Sequence, residues 1–425
     1  PDPAEPRQSR MSSAMAFGAR SVAALALSTA TRLWLGARHA SHVFAHRDRV
    51  PDAFAAEIGL DAHRKAADYT CAKTRFAMVE IAFGAAVLLA LTYGGALQWL
   101  HEISATQLPE GVGRGLALLV LVGAVMTVLE LPFGLYRTFV IETRFGFNKM
   151  TPALYFLDFV KSIALALAFG LPLGAIVLWL MERAGEYWWL YAWATWIAFN
   201  LFMVAVYPTW IAPLFNRFSP MQDPQLKERV ERLMARCGFK VKGLMVMDGS
   251  RRTSHGNAYF TGFGNSKRIV FFDTLLARLD PGEVEAVLAH ELGHFRLRHV
   301  VKRMAWLAAA SLFTLWLLGW IMQQSWFYHG LNVQAPSTAM ALVLFAIVLP
   351  QFTIVLQPLG AALSRRHEFE ADRYAAEHAS ARSLVRALVK LYEDNAATLP
   401  PAPLYSAFHD SHPPAAVRIA RLEPV

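Results

Sequence analysis

The sequence predicts a mainly α, polytopic membrane protein with about seven transmembrane helices and two polar segments on one side, with a small β element. Three observations predict it. Of 425 residues, 55% are hydrophobic and 17% charged, far more apolar than an ordinary globular chain, and the mean hydropathy is positive. Apolar runs of about 20 residues, enough to cross a hydrocarbon core, recur along the chain. Lys and Arg cluster in alternate loops between those runs. A large soluble α-protein has no need of so many runs of spanning length.

In chain order the expected spans are Ser13 to Leu35, Ala77 to Leu97, Gly115 to Tyr136, Phe156 to Leu180, Trp188 to Ile211, Met304 to Met322 and Ala339 to Ala361. They divide the chain into an N-terminal tail (1–12), a membrane region with five spans (13–213), a polar segment (214–303), two further spans (304–361) and a second polar segment (362–425). Pro1 is not a natural initiator and Met11 is, so residues 1–10 read as preceding the native start. The first span lacks a clear small-x-small cleavage site after it and is read as retained.

The loop after span one holds Arg47, Arg49, Arg64, Lys65, Lys73 and Arg75, and that after span three Arg137, Arg144 and Lys149. By contrast, Phe327 to Ser337 has no Lys or Arg. The positive-inside rule therefore puts the odd-numbered loops and the C-terminus in the cytoplasm and the N-terminus outside. Both polar segments then share one side and can build one folded unit. Leu244 to Met247 and Arg268 to Phe272 favour strands, hence the small sheet. Arg20, Arg32, Glu80, Glu130, Asp158 and Lys161 interrupt the spans and should face other helices or water, or snorkel at span ends.

The net charge of +9 does not imply nucleic acid, because the basic residues flank apolar runs and no nucleic-acid module is present. Membrane lipids are the expected surroundings. The two cysteines, Cys71 and Cys237, form no CxxC pair, which excludes a disulfide framework or a thiolate metal site. Any metal must use His and carboxylates.

Such a set exists. Asp280-Pro-Gly-Glu283 opens a helix with a capping box and a proline at its first position. That helix runs into His290-Glu-Leu-Gly-His294, whose two imidazoles project from one face, with Glu291 beside them to take a proton from the attacking water. A chance HExxH arises in about one chain in twenty of this length, so context has to support it. On a continuous helix His299 lies about 140° round from His294 and points elsewhere. Glu368 and Asp372, four residues apart, share a helix face that Glu370 does not. Glu368 reads as the third ligand and Asp372 as the acceptor for a ligand imidazole N–H. Two His and one Glu leave one coordination position open, the arrangement of a single catalytic zinc ion. His412 and Arg418 are candidate donors to a developing oxyanion, though either is equally a structural or surface residue at this stage.

These residues resemble the type 1 CAAX prenyl proteases, integral-membrane zinc metalloproteases, over nearly the whole chain from about Arg38 onward. The likeness rests on His42 to Pro51 (HVFAHRDRVP), Phe145 to Asn148, Ala212 to Asn216, His255 to Gly262 (HGNAYFTG), His290 to His294, Ser364 to Asp372, and His412 to Arg418. It implies seven spans around a water-filled chamber and a cytoplasmic zincin-like catalytic domain, with His290, His294 and Glu368 on zinc and Glu291 as general base. It also implies that Asn257, Ala258 and Tyr259 bind substrate on an edge strand and that His412 contacts the transition state. Gly256 departs from the Ser of many relatives.

The resulting expectation is an endopeptidase that cuts peptide or protein substrates near the C-terminus, lipid-modified or not, with prenylated CAAX proteins as the implied class. An HtpX-type quality-control protease is the nearest alternative, and a transporter or channel with a non-catalytic zinc site the next. An Ala- and Arg-rich composition, and an ending in Glu-Pro-Val without an endoplasmic-reticulum retrieval signal, point to a bacterial inner membrane.

Overall fold

A computed structural model describes residues 7–239, 243–261 and 268–422; Gly262, residues 1–6 of the expected tail and the terminal Glu-Pro-Val lie outside them. The membrane region contains α1 (Arg7–Ala45), α2 (Leu60–Leu91), α3 (Ala96–Gln107), α4 (Val112–Tyr136), α5 (Pro152–Arg183) and α6 (Trp188–Val206). A short α7 (Ala212–Phe215) leads into β1 (Phe218–Pro220), α8 (Pro224–Arg236), β2 (Gly243–Met247), β3 (Ala258–Thr261), β4 (Arg268–Phe272) and α9 (Asp273–Leu276). Next come α10 (Pro281–Arg296), α11 (His299–Ile321), α12 (Ser325–His329) and α13 (Thr338–Thr353). The chain closes with α14 (Gln357–His378), α15 (Ala381–Asp394), α16 (Pro403–His409) and α17 (Ala415–Leu422).

Six helical stretches among the described residues are long and apolar enough to cross a membrane. They match the second to seventh expected spans. The first, α1, is 39 residues and about 58 Å long, so length is no obstacle. Arg20 and Arg32 interrupt its apolar run, and it joins the bundle by packing on α2 and α13. Most helices run past their expected ends, and two boundaries differ in kind. The second helix begins at Leu60 and ends before Gly95, whose φ of +77° turns the chain into α3, so Leu97 belongs to another element. The last span breaks at a tight turn over Ile354–Leu356, between Pro350 and Pro358.

The bundle is closed at its ends rather than packed throughout. Leu91, Leu97, Leu118, Leu178, Trp188, Leu318, Phe327 and Met340 form one apolar core, drawn from helix ends that all meet at the same end of the bundle. Buried residues in α5 are confined to Leu178, Leu180 and Met181, and in α4 to Leu118 and Val122. The remainder of these two helices carries no buried residues. At the other end, α8, β2, β4, α10 and α15 share a second core through Val230, Leu233, Ile269, Phe271, Leu288 and Leu388.

Three of the six charged groups within the spans, Glu80, Asp158 and Lys161, find partners here, whereas Arg32 Nε is buried without a hydrogen bond. Arg137 donates to Glu80, Arg252 donates to Asp158 through Nε and Nη2, and Lys161 donates to the Leu214 carbonyl. Because Arg252 also reaches Asn216 Oδ1 at 2.9 Å, one guanidinium ties α5 and the end of α7 to the segment that leads into β3.

The loops after α1 and α4 anchor the polar segments. Phe54 and Ile58 are buried with Val389, Leu399, Ala415 and Ile419. His39 stacks on Tyr405 at 4.0 Å. Phe147 accepts from Ser254 N through its carbonyl, and Asn148 bridges to Thr253. The loops after α1 and α4 are thus in contact with the polar segments. The sheet has the order β1-β2-β4-β3, with β2 and β4 parallel and both outer pairs antiparallel. β1 went unread because a three-residue Phe-Ser-Pro strand has no alternation to detect.

Candidate metal centre

The capping box expected at Asp280 and Glu283 is present, with Asp280 N donating to Glu283 Oε2 at 2.9 Å. It fixes the start of α10 and hence the rotation of the face that carries His290 and His294. The fit of α10 on α14 is set by Gly293: a Cβ there would lie 3.0 Å from Ala371 Cα and 3.0 Å from Tyr374 Cβ. This close approach brings Glu368, one turn before Ala371–Asp372, onto the two imidazoles. Gly293→Val should therefore push the helices apart. The expected result is a stability loss of about 1–3 kcal/mol and the loss of divalent-cation binding, read by unfolding and metal content of purified protein.

His290, His294 and Glu368 each offer a ligand atom, and these atoms all lie within 4.8 Å of one another. His290 Nε2 is 3.2 Å from His294 Nε2 and 3.5 Å from Glu368 Oε2, while His294 Nε2 is 3.3 Å from Glu368 Oε1. Glu368 Oε2 is buried and receives no hydrogen bond of good geometry, although His412 Nδ1 lies 2.7 Å away. Two imidazole nitrogens facing each other across a buried carboxylate fit a shared cation. Burial alone would raise the Glu368 carboxyl, but His290, His294 and His412 hold it well below the usual carboxylate range.

Asp372 takes His290 Nδ1 at 2.9 Å and two donors from Arg418, Nε at 2.8 Å and Nη2 at 2.5 Å. Burial would raise Asp372 too, and His290 with Arg418 lowers it. Burial disfavours a charged His290, yet its bonds to Asp372 and Glu368 raise it to about 9.

The structure separates the two candidate oxyanion donors. Arg418 is buried and committed to Asp372, whereas the His412 side chain is 64% exposed, beside Glu368. Glu291 is half-buried. The other acids of α10 are neutralised, Glu283 by Lys390 and Arg386, Glu285 by Arg229 and Arg236. Among the described residues Glu291 has no hydrogen-bond or ion-pair partner.

Asn257, Ala258 and Tyr259 lie at and in β3, the edge strand beside β4, and α10 packs against that strand. Asn257 is exposed and its Oδ1 accepts from Ala258 N.

Sequence reasoning missed the role of His299. It assumed a continuous helix, but α10 ends at Arg296 and Arg298 takes a left-handed φ of 57° before α11 starts. The reversal returns His299 to His294, with Nδ1 to Nδ1 at 3.0 Å, and Glu370 caps the other nitrogen. No periodicity in the sequence signals that turn, since a polar-to-apolar switch such as the one after Arg303 also occurs within single helices, α2 among them.

Residues 39–217 match the family model described as CAAX prenyl protease N-terminal, five membrane helices, and residues 220–425 match peptidase family M48. The chain is 34% identical over 385 residues to the CAAX prenyl protease 1 homolog of Arabidopsis thaliana, covering 88% of this chain and 90% of the relative. It is 31% identical over 402 residues to CAAX prenyl protease 1 of Saccharomyces cerevisiae, covering 88% of each. The crystal structure of S. mikatae Ste24p superposes with a TM-score of 0.88 at 30% identity, over 96% of this chain and 98% of that one. With both halves matched, and with the fold and the HExxH helix in place, the chain belongs to peptidase family M48 as a membrane-embedded metalloprotease.

Proposed function

We propose that this protein is a zinc endopeptidase that cuts prenylated CAAX proteins near the C-terminus, holding one zinc ion through His290, His294 and Glu368. The observation that carries this reading is the convergence of three donor atoms at the helix that carries Glu291, the acid of α10 without a partner among the described residues. Zinc, when bound, lowers the pKa of water and polarises the scissile carbonyl. Glu291 accepts the proton of the attacking water and passes it to the leaving amine. His412, beside Glu368, donates to the developing oxyanion. Asp372 fixes the His290 tautomer, with Arg418 holding Asp372 in place.

Among the described residues β3 pairs only with β4, and its other edge offers backbone groups to an extended peptide, with Asn257, Ala258 and Tyr259 as its contacts. The names of the relatives support a CAAX substrate. Basic loops at the catalytic end support a cytoplasmic site, with segments 214–303 and 362–425 as its two pieces. Composition supports a bacterial inner membrane as the host, although the relatives named above are eukaryotic.

A farnesylated CAAX peptide and its unprenylated twin test the substrate class. The farnesylated peptide should be cut with a kcat/KM at least about tenfold higher, the discrimination a small apolar group confers in a pocket. Equal rates would remove the prenyl group from the recognition, and no cleavage of either would favour membrane-protein quality control.

A further inference from the structure

The two imidazoles of the centre are supported unequally. His290 Nδ1 meets the Asp372 carboxylate directly, at 2.9 Å. His294 Nδ1 instead meets another imidazole, His299 Nδ1, at 3.0 Å, and His299 Nε2 lies 3.0 Å from Glu370 Oε2. Each ring in that line has one proton to give and one lone pair to offer. An ionised Glu370 is acceptor-only, so His299 Nε2 must carry the proton. His299 Nδ1 is then an acceptor, His294 Nδ1 must be the donor, and the His294 lone pair is left on Nε2, the atom aimed at Glu368.

Both members of the line are themselves held. His299 is 4% exposed and stacks on His367 at 4.1 Å, and Glu370 Oε1 accepts from Arg366 Nε at 3.1 Å. The elements involved are distinct: His294 ends α10, His299 begins the spanning helix α11, and Glu370 lies on α14.

We infer that His299 and Glu370 form a positioning relay that fixes the tautomer and ring orientation of His294 for metal binding. The relay performs for His294, through one added imidazole, what Asp372 performs for His290. It joins the metal site to the first residue of α11, so the centre is braced against the membrane helix. Outer partners of ligand imidazoles commonly control metal affinity by about 10- to 100-fold.

The inference rests on the ligand set proposed above, and zinc affinity of the full chain in detergent tests the two separately. Zinc binding is measured by competition with a chromophoric chelator for wild type, His294→Ala, His299→Phe, Glu370→Ala and the double variant His299→Phe/Glu370→Ala. The His294→Ala protein should lose tight binding; if it binds as wild type does, the ligand set itself fails. Given that loss, His299→Phe should weaken zinc binding about 10- to 100-fold while the unfolding temperature of chelator-treated protein stays unchanged. Glu370→Ala should weaken it comparably, and the double variant should be no weaker than His299→Phe, because Glu370 acts through His299. Wild-type affinity in His299→Phe, or additive losses in the double variant, would overturn the relay. Should His299→Phe fail to fold, Glu370→Gln carries the test: it keeps the shape and loses the charge, and unchanged zinc affinity there overturns the inference.

Discussion

Glu291→Gln should leave the protein folded and zinc-loaded while lowering kcat by about 10²–10⁴-fold, the contribution of a positioned general base. Gln has the same shape and removes the basic lone pairs without leaving a charge stranded. The structure gives this expectation its sharpness. At Glu283 or Glu285 the same change would break ion pairs with Lys390 and Arg386 or with Arg229 and Arg236 and disturb the helix itself. Glu291 holds no such partner among the described residues, so nothing structural depends on its charge. Cleavage of a farnesylated peptide at saturating concentration, alongside metal content, checks the result. Retained activity would remove Glu291 from the chemistry; loss of metal would mean that it helps to hold the ion.

The membrane helices were legible because a hydrocarbon slab imposes one length and one polarity on every span. Their ends were not, because a helix that leaves the slab continues as long as its backbone allows. α2 starts well before its apolar run and α14 carries on from the last span through Glu368 and Asp372. Termination was written in single residues, Gly95 and Arg298, whose left-handed conformations no periodicity reports. β2 and β4 were readable from short β-favouring runs and β1 was not.

Within the site, the residues at one-turn spacing were the ones found. His290, His294, Glu368 and Asp372 obey the helix period, and the structure brings those four together. Contacts across elements obey no such rule. The distance from His299 to His294 depends on a turn, and the commitment of Arg418 to Asp372 on how α17 docks on α14. Gly293 was visible inside the motif, yet its reason appears only once Ala371 and Tyr374 are placed against it.

Asp372→Ala is expected to destabilise the protein by about 3–5 kcal/mol and to weaken zinc binding about 10- to 100-fold, through two separable causes. The first is a stranded charge. Arg418 is 6% exposed and gives both of its short hydrogen bonds to Asp372, so truncation leaves a buried guanidinium whose nearest acid is Glu368, 3.8 Å from Nη1. Any shift towards Glu368 competes with the cation for the same oxygen. The second is the loss of the acceptor that fixes His290 Nδ1. A double variant, Asp372→Leu with Arg418→Met, removes both charges and keeps apolar volume, which commonly restores stability. It cannot restore the acceptor. Unfolding should therefore recover in the double variant while zinc affinity stays low, measured by thermal denaturation and chelator competition on the same preparations. Recovery of both would mean that Asp372 matters only as the counter-charge of Arg418; recovery of neither would mean that α14 and α17 depend on this pair for their docking.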